Sequence, residues 1–139
     1  MKICGVSFDS NTAIIAIVEF EPSGAYALCE TETKRLGIDD HKKDACLTDF
    51  ARLLGTIASD HEVSKFAVRR CTYSGLYSSS AASIKMEALF QLAEIKTVLL
   101  DPKTINKSCD ENCVEIPSQI NKYQNEAFKA AFAVGMIND

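Results

Sequence analysis

Two apolar runs, Lys2–Phe8 (KICGVSF) and Thr12–Phe20 (TAIIAIVEF), are separated only by Asp9-Ser10-Asn11. Both are rich in Ile and Val, and three turn-forming residues leave the second run no course except back along the first. A second turn, Glu21-Pro22-Ser23-Gly24, comes at once and leads into a third extended run from about Ala25 to Arg35. The chain therefore opens as an antiparallel three-stranded meander.

Beyond Arg35 the pattern changes to helices alternating with strands. Asp39-Asp40 is placed to open a helix at the positive end of its dipole, and Cys46/Leu47, Phe50, Leu53/Leu54 and Ile57 form its inward stripe. The fourth strand is KFAVRRC, Lys65–Cys71, followed by the loop Thr72–Ser80 and a helix with Ile84, Ala88, Leu89 and Leu92 facing inward. Lys96–Leu100 is a fifth strand. Asp101-Pro102 supplies a cap and a first helical residue for Lys103 to about Ser108. A last helix, about Gln119 to Ile137, is apolar on most sides and should be largely buried. The order β-β-β-α-β-α-β-α-α requires a mixed sheet, because the later crossovers are parallel and right-handed. With helices on both faces, its central strands should be almost continuously apolar.

With 139 residues and no internal repeat, low-complexity tract or linker, residues 1–139 read as one α/β domain. A net charge of −4 excludes a global attraction to polyanions, so any phosphate site must be a local patch. The opening residues lack a signal-peptide pattern, and no run reaches the roughly 18 apolar residues of a membrane span. The expectation is a soluble, cytoplasmic protein without a membrane partner, its six cysteines present as free thiols.

Four stretches carry a resemblance: CGV at residues 4–6, KFAV at 65–68, LLDPKTINKS at 99–108 and NEAFKAAFAVG at 125–135. Together they resemble the RuvC-like branch of the ribonuclease H-like superfamily, over essentially the whole chain. They resemble still more closely a family of short bacterial proteins of unknown function that shares the CGV opening and the EAFxAAFA ending. The implied sheet is five-stranded, in spatial order 3-2-1-4-5. The implied chemistry is two-metal phosphodiester hydrolysis by carboxylates at the ends of the first and fourth strands and on the last helix.

At those positions this chain has Ser7, then Arg69 or Arg70, then Tyr123 and Glu126. Only Glu126 is a carboxylate, and a guanidinium would repel the divalent ions it stands among. Magnesium or manganese is the weak alternative, with Asp9, Glu126 and Asp101 as relocated ligands. The expected site gathers Ser7, Asp9, Arg69, Arg70, Tyr73, Tyr77 and Glu126. An arginine there could hold phosphate bidentately, or could simply pair with Glu126 or Asp9. Tyr73 and Tyr77 could stack on bases, or belong to an ordinary flexible surface loop. Asp101 reads as a helix cap. His41 and His61 read as solvated or near helix ends, and Lys103 and Lys107 as an exposed helix face.

Three functions compete. The first is a RuvC-like domain with a degenerate two-metal site that binds nucleic acid, a nucleotide or another phosphate-bearing ligand. The second is a structural or protein-interaction module, such as a homodimer. The third is an active metal-dependent nuclease with relocated ligands. The residue chemistry leans away from an enzyme.

Overall fold

The computed structural model describes residues 1–137. Strands β1 (Lys2–Asp9) and β2 (Thr12–Phe20) form the expected hairpin, paired from Lys2↔Glu19 to Asp9↔Thr12 around Ser10 at φ 58°. The third extended run is two short strands, β3 (Tyr26–Cys29) and β4 (Arg35–Gly37), each antiparallel to β2. The sheet therefore has six strands rather than five. The break falls at Glu30–Lys34, which has no apolar alternation, and there the Thr31 hydroxyl donates to the Thr33 carbonyl.

Helix α1 (Asp44–Asp60) leads to β5 (Lys65–Arg69), α2 (Ala81–Gln91) to β6 (Lys96–Leu100), and α3 (Pro102–Glu111) to a 3-10 turn (Lys122–Gln124) and α4 (Asn125–Ile137). Both β5 and β6 add in parallel, giving the order β3-β2-β1-β5-β6 with β4 also beside β2. Apart from the divided third strand, this is the expected order.

Helix boundaries and phases differ at three places. Asp39-Asp40 does not open α1: the Asp40 carboxylate and carbonyl accept the Lys42 and Lys43 N–H groups, holding a turn, and Asp44 becomes the first-turn acid. The inward stripe of α2 is Ala82, Ser83, Met86, Glu87 and Phe90, while Leu92 is 81% exposed. Because Ser80 accepts the Ser83 N–H and both hydroxyls donate to the Ser10 carbonyl, the start of α2 is fixed to the β1–β2 turn, which sets the helix phase. The last helix begins at Asn125, since Asn121 and Gln124 cap one another first and Gln124 donates to the Ile15 carbonyl.

The strand pleat divides the core in two. Ile3, Ala16, Val18 and Ala67 face α4, whereas Cys4, Val6, Ile15, Ile17, Phe66 and Val68 face α1 and α2. On the first side α4 lies almost against β1. A Cβ on Gly5 would stand 1.8 Å from the Ala127 carbonyl oxygen, so only glycine permits this approach. That contact sets where the first turn of α4 lies relative to the ends of β1 and β5.

Candidate functional site

Ser7 is two residues beyond Gly5, so the pleat directs it to the α4 side, where it is 6% exposed. The parallel register ends at Val6↔Val68, and one further step sets Ser7 beside Arg69. Arg69 shares the α4 side with Ala67. Its Nε lies 3.6 Å from Oε2 of Glu126, while Lys129, one turn along α4, approaches the other oxygen at 3.9 Å. Arg69 and Glu126 are thus paired, Ser7 lies on the same side of the sheet, and Lys129 is a further cation. The i,i+3 spacing of Glu126 and Lys129 was the available signal for it.

Arg70 lies past the strand end and faces another partner. Its N–H donates to the Leu100 carbonyl, and its guanidinium donates to Oδ2 of Asp101 at 2.9 Å. Asp101 caps α3 as expected, accepting the Lys103 N–H at 2.9 Å, and its pairing with Arg70 is an added role. That cap bond, and then Arg70, hold its carboxyl below the usual range. The arginine on the α4 side is therefore Arg69.

The remaining expected residues divide. Tyr73 is drawn to Arg70, whose guanidinium carbon lies 5.6 Å from the ring centroid. Tyr77 stands at the loop tip with Leu76, both 88% exposed. The loop is not loosely attached at its base: the Thr72 N–H donates to the Ser79 hydroxyl and the Ser79 N–H to the Thr72 carbonyl. Gly75, at φ 96°, lets it reverse direction. Asp9 is exposed at the hairpin end and, among the described residues, has no ion-pair partner, so the expected alternative of an Asp9 pair is not formed. Tyr123 precedes α4 and lies under the Arg35 guanidinium, 3.8 Å from its ring centroid.

Among the described residues no group of three or more His, Cys, Asp or Glu is arranged to hold a metal ion. The residues at the ends of β1 and β5 do not suit one either. Ser7 is a weak ligand, and Glu126 lies between two cations whose charge opposes a divalent ion.

Sequence reasoning also missed Glu87, which lies on the inward face of α2 at 3% exposure. Its Oε2 accepts the Cys71 N–H at 2.6 Å and its Oε1 accepts the Tyr73 hydroxyl. That hydrogen bond, and then burial, raise the Tyr73 phenol above its ordinary range. Burial pushes the Cys71 thiol up to about 12. The signal was a single acid within an apolar stripe, visible only once the phase of α2 is known.

A mixed sheet in this order, with α4 across β1 and β5, is the ribonuclease H-like fold of the RuvC type. The chain belongs to the family described as protein of unknown function (DUF3010), whose model matches residues 1–134. No curated protein matches it. Among solved structures it is similar to Thermus thermophilus RuvC, with TM-score 0.69 and 10% identity over 99% of this chain and 96% of that one. It is similar also to T. thermophilus RuvC in complex with a Holliday junction substrate (TM-score 0.68, 10% identity, 99% and 96% covered). The fowlpox virus Holliday junction resolvase is more distant, at TM-score 0.50 and 17% identity over 99% and 97%. At these identities the likeness shows the fold.

Proposed function

We propose that this domain binds nucleic acid or another phosphate-bearing ligand at the C-terminal ends of β1 and β5, without two-metal hydrolysis. The observation that carries the reading is the clasp of Glu126 between Arg69 and Lys129. It leaves a net positive cluster where the resemblance to RuvC-like nucleases implies metal-binding carboxylates. Phosphate has the charge and geometry to enter such a cluster, with Arg69 turning from Glu126 to grip it bidentately. The exposed Tyr73 and Tyr77 flank the same strand end and suit stacking on unpaired bases. Solved relatives of this fold include one in complex with a Holliday junction, which makes a branched DNA the first ligand to try.

A second reading rests on the same ion pairs. Arg69 with Glu126 and Arg70 with Asp101 are each complete without a ligand, as in a structural or interaction module that assembles with its own kind.

Titration of labelled four-way junction, duplex and single-stranded DNA separates the two. Binding should weaken steeply as salt rises, as counterion release requires, and magnesium or manganese should produce no cleavage. Cleavage abolished by Asp9→Asn or Glu126→Gln would instead establish a nuclease with relocated ligands. Absence of binding to every nucleic acid tried would favour the module.

A further inference from the structure

Beside the cation cluster, α2 turns a carboxylate into the protein where a leucine would pack. Burying a carboxylate is unfavourable unless donors satisfy it. Both donors to Glu87 come from the start of the β5–α2 loop: the Cys71 N–H and the Tyr73 hydroxyl. Next to them stands Arg70, tied to Asp101 and lying against the Tyr73 ring. Glu87 thus holds the loop where it leaves the arginine. The Thr72–Ser79 pair closes the loop base independently, so Glu87 is not needed for the loop to close. What it adds is a fixed direction for one half-exposed ring.

We propose that Glu87 is the positioning residue of the β5–α2 loop, its carboxylate holding the Tyr73 ring against Arg70 so that the strand end meets its ligand with both groups already in place. This rests on the reading of that end as a binding site. The gain comes from preorganisation: a ring and a guanidinium fixed beforehand lose less freedom when a ligand arrives. Glutamine at this position can accept the Cys71 N–H and must then offer its NH2 group to the Tyr73 oxygen, so two hydrogen bonds to a carboxylate are exchanged for weaker neutral ones.

The test compares wild type, Glu87→Gln and Tyr73→Phe by amide hydrogen exchange, by ultraviolet titration of the tyrosines and by affinity for a labelled four-way junction. In Glu87→Gln the amides of residues 71–79 should exchange roughly tenfold faster, while those of α4 keep their protection. The latest-titrating tyrosine should ionise at lower pH, and junction affinity should fall roughly fivefold. Tyr73→Phe should loosen the loop less, since the Cys71 N–H keeps its acceptor, and should remove that latest titration. If Glu87→Gln does not fold, the half-exposed Tyr73→Phe carries the test alone. Loop exchange at the wild-type rate in the variants would overturn the proposal, as would a loosened loop with unchanged junction affinity. If wild-type protein binds no nucleic acid, the functional reading falls, and the exchange and titration results still decide whether Glu87 positions the loop.

Discussion

Under α4 the protein is packed without charge, whereas a few residues further along the same two strands it is built from charges. Gly5 on β1 admits the Ala127 carbonyl, and Ala67 on β5 lies beneath the same helix. At the strand ends come Ser7 and Arg69, then Arg70 with Asp101, and the first two turns of α4 contribute Glu126 and Lys129. The packed part fixes position by volume and tolerates little change. The charged part is partly exposed and contributes little to stability, so its residues are free to serve a ligand. One helix spans both regions, so its packing on β1 determines where its charges lie.

The sharpest way to break this contrast is at Gly5. A methyl group there meets backbone rather than a movable side chain, so Gly5→Ala should lower unfolding stability by about 3 kcal/mol. Chemical denaturation checks this, and a loss below about 0.5 kcal/mol, the range of a neutral surface change, would mean that α4 does not lie so close.

A smaller effect is expected at Asp101, and it depends on pH. Its folded carboxyl titrates below the ordinary value of 3.8 because the Lys103 N–H and Arg70 favour the charged form. That contribution is complete above the ordinary value and is lost as pH falls through the lower folded one. Asp101→Asn should therefore flatten the acid limb of a stability–pH profile while leaving the shape near neutrality unchanged. An acid limb of unaltered steepness would show that the Arg70–Asp101 pair is not formed in solution.

The fold was legible because its signals are local and repeated. The tight Asp9-Ser10-Asn11 turn, the apolar strands and the Asp101-Pro102 cap each point to the element observed. The phase of α2 was not legible, because it depends on Ser80 and Ser83 reaching the Ser10 carbonyl some 70 positions earlier in the chain. The wrong phase hid Glu87. The site was half legible: Ser7, Arg69 and Glu126 could be brought together from strand order. Which arginine faced α4 required the register. The partnership of Arg70 with Asp101 was missed because the cap alone accounted for that aspartate.

The proposed phosphate site depends most directly on Arg69. Replacing it by alanine removes a partly exposed ion pair, which should change unfolding stability by no more than about 1 kcal/mol. If Arg69 grips phosphate, the same substitution should weaken four-way-junction affinity by about 1.5–3 kcal/mol, as expected for a charge-assisted hydrogen bond. An anisotropy titration of wild type and Arg69→Ala at one salt concentration measures this. Junction affinity unchanged in a folded Arg69→Ala protein would contradict the account and leave Arg69 as the structural partner of Glu126.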